Sequence, residues 1–191
     1  TNLEGSIWTW WREGGKFHIE KTATIAPEAA SKEQLPPLLQ GFGAVPPLVT
    51  DIDLSMDDRF LYVSCWGTGE MRQYDVSDPR KPKLSGSVHI GGIVRRTPHP
   101  NGRKYAGGPQ MVEISRDGKR VYWTNSLYST WDDQFYPEGM PGAEVMANAG
   151  ADGGLELAGD YWVGFPQGYR AHQIRLDGGD CSTDSFCYPS A

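Results

Sequence analysis

Cysteine is scarce in this chain of 191 residues: Cys65, Cys181 and Cys187 are all it has, too few for a disulfide scaffold. Cys181 and Cys187 would stand roughly 20 Å apart if the chain between them is extended, well past the ~7 Å that a bridge can span. No run of Lys or Arg breaks a net charge of −6, set by 24 acids against 18 bases, so nucleic acid and anionic membrane are poor guesses for partners. No stretch approaches the ~18 apolar residues of a membrane-spanning helix, and no cationic leader precedes an apolar segment. The chain opens on Thr1 without an initiator Met and reads as strand almost at once, so we expect a processed or partial product.

What is plentiful is Gly (24), Pro (14) and aromatic side chains (12%, with seven Trp), a composition that favours a turn-rich all-β protein over a helical one. The organising stretch is LVTDIDLSMDDRFLYVSCWGTGEMRQYDVSDPRKPKLSGSVHIGG, residues 48–92. Thr50 to Met56, Phe60 to Trp66, Glu70 to Val76 and Lys83 to Ile90 each alternate apolar and polar between turn residues. Turns this short leave no room for a crossover helix, so the strands form an antiparallel meander of the size of one β-propeller blade. Residues 5–25 read as a hairpin about Gly14-Gly15, a partial blade. Residues 26–47 read as a Pro-rich connection with one helical turn near Ser31 to Gln34, and residues 93–108 as a surface excursion.

The pattern then recurs. ISRDGKRVY from Ile114 aligns with LSMDDRFLY from Leu54 and IRLDGGDCS from Ile174, placing Asp57, Asp117 and Asp177 at a spacing of 60. A fixed period with a shared strand-turn-strand phrase marks a repeat architecture. Residues 109–165 form a second blade: strands at Gln110 to Arg116 and Arg120 to Leu127, a long aromatic insert from Tyr128 to Gly154, and a last strand within Leu155 to Phe165. Residues 171–188 open a closing half-blade. Two blades and two parts of blades cannot close a ring, since propellers have at least about four. Further chain, partner strands or a second copy in a homo-oligomer must cover the open edges.

These phrases, together with GGPQMVEISRDGKRVYWTNSLYSTWDDQFYP and AHQIRLDGGDCSTD, closely resemble the C-terminal part of the selenium-binding protein family, whose members include methanethiol oxidases. The resemblance implies a seven-bladed β-propeller, of which this chain supplies about the last three blades. It implies a copper-dependent oxidase acting on methanethiol with O2 and water to give formaldehyde, hydrogen sulfide and hydrogen peroxide. It also implies that most copper ligands lie outside this chain, with His172, in AHQIR, as the one matching candidate here. Phrases such as RRTPHPNGRKYAGGPQM look bacterial, which implies an exported, periplasmic enzyme; a cytoplasmic one is the alternative.

Each candidate also has a plainer reading. His172 is either a copper ligand facing the channel or a hydrogen-bonded core histidine. Cys181 is either a thiolate near the metal, able to react with sulfur substrates, or a small buried hydrophobe. Asp180 and Asp184 could orient a ligand imidazole, but acids in such turns more often cap backbone amides. The same capping role is expected of Asp57, Asp117 and Asp177. His18 and His89 fall on outer strands and His99 between prolines, no pair having the spacing of a self-contained metal site. Cys65 reads as packing. Trp66 and Trp123 belong to the repeat, where aromatics usually pack blade against blade, whereas Trp131, Phe135 and Tyr136 belong to the insert and are the candidates for walling a substrate pocket. A non-catalytic propeller that binds selenium or proteins is the alternative function.

Overall fold

Gly14 and Gly15 both hold positive φ (56° and 78°), the backbone of the tight turn that suits the right-handed twist of two joined strands. They link β1 (Gly5–Glu13) to β2 (Lys16–Ile25) in the hairpin expected from the sequence. The structure, a computed structural model, describes residues 3–166 and 168–181. Short pairs follow at β3 (Glu28–Ala29) and β4 (Ala44–Val45). Between them Ser31 O accepts from the Gln34 and Leu35 amides, so the expected helical turn is present.

β5 (Val49–Leu54), β6 (Phe60–Cys65), β7 (Glu70–Asp75) and β8 (Lys83–His89) form an antiparallel sheet in sequence order. A second sheet contains β9 (Val112–Ile114), β10 (Arg120–Thr124), β11 (Ala143–Ala149) and β12 (Leu155–Leu157), with β13 (Val163–Gly164) also on β11. β6 is buried along its whole length because it is covered on both faces. Leu61, Val63 and Cys65 pack toward the hairpin with Ile25 and Tyr74. Phe60 and Tyr62 pack toward the second sheet with Val112, Val121 and Trp123. Gln73, fully buried, ties the sheets together: its Nε2 donates to Tyr62 Oη (2.9 Å), and its Oε1 accepts from the Gly154 amide (2.7 Å).

The turn acids recur as locks. Ser55 Oγ donates to Asp57 Oδ1 (2.6 Å) while that carboxylate accepts from the Arg59 amide. Ser115, Asp117 and Lys119 repeat the arrangement, again at 2.6 Å. The Ser hydroxyl is the main cause holding each carboxyl below its ordinary range. The two locks differ at one place: Gly118 has φ 68°, but its counterpart Asp58 has φ 56°, a conformation unfavourable to an L side chain.

The insert differs from expectation. Residues 128–154 include α1 (Ser129–Phe135) and β11, and the last strand is divided into β12 and β13. In β11 the inward positions are Ala143, Val145 and Ala147, side chains too small to announce a strand by hydrophobicity. The 93–108 excursion runs over the surface at residues 100–104 but is pinned at both ends. Ile93, His99 and Tyr105 are buried, and Gly107 (φ 83°) passes so close to the Asn125 carbonyl that any Cβ would collide with it. The hub is Asn125, fully buried. Its Nδ2 donates to Ala106 O (2.9 Å) and Pro141 O (2.8 Å), its Oδ1 accepts from the Ala143 amide (2.8 Å), and its carbonyl accepts from Trp66 Nε1 (3.0 Å).

Asn125→Ala strands two carbonyls and an amide in the interior, so we expect denaturant titration to show a loss of about 3–5 kcal/mol. Asp58→Gly relieves the left-handed strain and should raise stability by about 0.5–1 kcal/mol in the same titration; no gain would show that Asp58 is unstrained.

Candidate functional site

The strand pattern TDIDL in β5 places Asp51 and Asp53 on one face and Ile52 and Leu54 on the other, since side chains alternate. The usual order is inverted: Ile52 is 55% and Leu54 41% exposed, while both carboxyl groups are partly buried. β5 lies beside β9, where the Val112 amide donates to Asp51 Oδ2 at 2.8 Å. Residues 171–181 then run against the second sheet. Ser115 and Asp180 form an isolated bridge, Thr124 Oγ1 donates to His172 O (3.1 Å) and Cys181 Sγ donates to Ser115 O (3.4 Å).

This arrangement gathers Asp51, Asp53, Glu113, His172, Arg175, Asp180 and Cys181 along the first strands of successive repeats. Burial pushes Asp53 up to about 6, with the charges of Asp51 and Asp180 acting the same way. Burial also raises Asp51, against the hydrogen bond from Val112 and the nearby His172. Cys181, 3% exposed, is pushed up to about 12, first by burial and then by the charge of Asp53. At neutral pH it is a thiol rather than a reactive thiolate. Cys181 and Asp53 share a cavity of about 460 Å³ with Ile52, Leu54 and Met56. Glu113, 2% exposed, is joined by Arg175 at 3.5 Å.

His172 is exposed and belongs to this group through Asp51. Asp180 is fully buried and accepts from the Leu176 amide. Among the described residues no three or more His, Cys, Asp or Glu side chains are arranged to hold a metal ion. His18 stacks on Trp11, His89 lies 3.9 Å from Glu70, and His99 is buried edge-on to Trp162. Asp184 and Cys187 lie outside the described residues, as does the rest of the closing half-blade from residue 182 to 188.

The insert aromatics are elsewhere. Phe135 and Tyr136 are buried with Trp66, Leu35, Leu39 and Met140 in a core cluster, and Trp131 packs against it. Tyr136 Oη donates to Gly107 O, and Trp66 meets Phe135 and Tyr136 edge-on. They brace the insert, and the Cys181 cavity is lined by other residues. The acids Asp51 and Asp53 escaped sequence reasoning, although two acids at alternate positions of an otherwise apolar strand were the available signal.

Because the folded Asp53 carboxyl titrates near 6, above its ~3.9 in an unfolded chain, its ionisation opposes folding. Stability is therefore lost as pH rises between those values. Asp53→Asn, which stays neutral, should match the wild type near pH 4 and exceed it by on the order of 1 kcal/mol at pH 7 after solvent screening. Equal pH profiles in denaturant titrations would refute the assignment.

The chain is 42% identical to methanethiol oxidases of Pongo abelii and Homo sapiens over 90% of its length, and it is 41% identical to selenium-binding protein 2 of Mus musculus. It spans about 40% of the length of these relatives. A hypothetical selenium-binding protein from Sulfolobus tokodaii, solved by X-ray crystallography, superposes with a TM-score of 0.93 at 57% identity, covering 98% of this chain and 41% of its own. A protein from Lactobacillus plantarum matches at a TM-score of 0.51 and 16% identity, covering 90% of this chain and 39% of its own, a likeness of fold alone. The model of the 56 kDa selenium-binding proteins matches residues 1–187, and the chain belongs to that family.

Proposed function

We propose that this chain is part of a copper-dependent β-propeller oxidase that converts methanethiol, O2 and water to formaldehyde, hydrogen sulfide and hydrogen peroxide. The observation that carries the reading is the 42% identity, over 90% of the chain, to proteins named methanethiol oxidase. The activity is proposed for the whole protein, of which the matched region is about two-fifths in those relatives. Sheets stacked face to face and turn locks repeated at the same strand junction support a propeller, its blades being successive meanders.

The described residues do not fit a self-contained copper centre. His172 supplies one imidazole, Cys181 keeps its proton, and no cluster of donors surrounds either. Soft thiolates and imidazoles are what copper selects. In this reading His172 is one donor and the others come from elsewhere in the protein. The role argued for this chain is local: Asp51 sits beside the imidazole, the Cys181 thiol keeps its proton in the adjoining cavity, and Asp53 takes up or releases one near pH 6. No helix among the described residues is long and apolar enough to cross a membrane, and a periplasmic location is part of the proposal, to be checked by cell fractionation.

A second reading, a non-catalytic propeller that binds selenium or proteins, is favoured by the names of the family and of the Mus musculus relative. One experiment separates them. The intact protein is assayed for bound copper and for peroxide, sulfide and formaldehyde on adding methanethiol. We expect all three products and a loss of most copper and at least tenfold of the rate in His172→Ala. Metal-free, inert protein would favour the binder. Unchanged copper in the variant would remove His172 from the ligand set.

A further inference from the structure

A second cavity, lined by the 93–108 excursion, the insert and Trp162, has no part in that reading. It measures about 600 Å³ and is lined by Arg96, Lys104, Tyr105, Asn125, Glu138 and Trp162, with Pro98 and Pro141 among the remaining wall residues. A thiol of two heavy atoms needs roughly twice the ~30 Å³ of a water molecule, so methanethiol would leave most of this space empty. Its size and mostly apolar lining are those of a site for a larger organic molecule.

The wall is fixed before any ligand arrives. Trp162 meets His99 edge-on at 5.3 Å and Tyr105 at 6.0 Å, and the Arg103 guanidinium stands 5.4 Å from the indole centroid. Tyr105 is 3% exposed, and its hydroxyl is set toward Trp123 within the sheet core, so the ring rather than the hydroxyl faces any ligand. Arg96 is committed: it donates to Glu138 (2.8 Å), Ile93 O and Phe135 O and lies over the Tyr136 ring at 3.9 Å. That pairing neutralises the one carboxylate in the lining. Lys104 on the cavity wall and Arg103 on the indole are exposed and enter no ion pair among the described residues. Uncompensated positive charge beside an indole wall is complementary to an anionic group on a flat apolar body.

We propose that this cavity binds a small aromatic carboxylate, its ring against Trp162 and its carboxylate toward Lys104. The site is separate from the Cys181 cavity and does not depend on the oxidase reading. The intact protein is titrated with 2-naphthoate and with its neutral analogue 2-naphthylmethanol, following tryptophan fluorescence and heat. We expect saturable binding of 2-naphthoate, at least tenfold tighter than the alcohol. In Lys104→Gln, an exposed change that the fold tolerates, naphthoate binding should fall about tenfold and alcohol binding stay as it was. Trp162→Ala should weaken both ligands. Absence of saturation up to about 1 mM, equal affinity for acid and alcohol, or indifference to Lys104→Gln would overturn the proposal. Peroxide formation from methanethiol, measured alongside, should be the same in Lys104→Gln and wild type, so failure of this site and failure of the oxidase reading give different results.

Discussion

A single buried amide holds the connecting segments in place. Asn125 uses both Nδ2 protons, Oδ1 and its own carbonyl on four partners: Ala106, Pro141, Ala143 and Trp66. These come from the long loop, the insert, the start of β11 and the end of β6. Without the amide, three backbone groups would face one another in a dry interior with nothing to pair with, and buried unpaired groups are expensive. The loop's tight approach at Gly107 and the edge-on packing of Trp66 on Phe135 and Tyr136 both presuppose the hub. The organic cavity next to Asn125 therefore inherits a rigid floor.

The candidate site has a different physical character. Its acids sit where a strand usually presents aliphatic side chains, and Ile52 and Leu54 are turned out instead. Burial raises the Asp53 carboxyl and the Cys181 thiol above their usual ranges, and neighbouring acids add to it. Cys181 is therefore a thiol at neutral pH rather than a ready ligand or nucleophile.

How much could be read from the sequence depended on the length scale of the signal. The hairpin at Gly14-Gly15 and the meander from Val49 to His89 were legible because alternation and turn residues act over a few positions. The recurrence of Asp57 and Asp117 was legible too, and both act as structural turn locks. β11 was missed because Ala143 and Ala147 bury little surface and give no contrast with their neighbours. The anchoring of residues 93–108 at Ile93, His99, Tyr105 and Gly107 was missed because glycines permit close packing without any hydrophobic signature. At the site, His172 and Cys181 were singled out from a resemblance, whereas the alternation of Asp51 and Asp53 in β5 gained meaning once β9 lay beside it. Trp131, Phe135 and Tyr136 were singled out for belonging to the insert, and membership of an insert does not distinguish a lining from a brace.

The two kinds of anchor also imply an order of assembly. The Ser55–Asp57 and Ser115–Asp117 locks join groups two positions apart, while the bond from Trp66 to Asn125 joins groups 59 positions apart. Closing a short segment sacrifices far less chain entropy than closing a long one. Each reversal should therefore nucleate its own meander early, and docking of one meander on the next should be the late event. In kinetic terms, damage at Ser55 or Ser115 would slow folding, whereas damage at Trp66 would hasten unfolding and leave the folding rate nearly untouched.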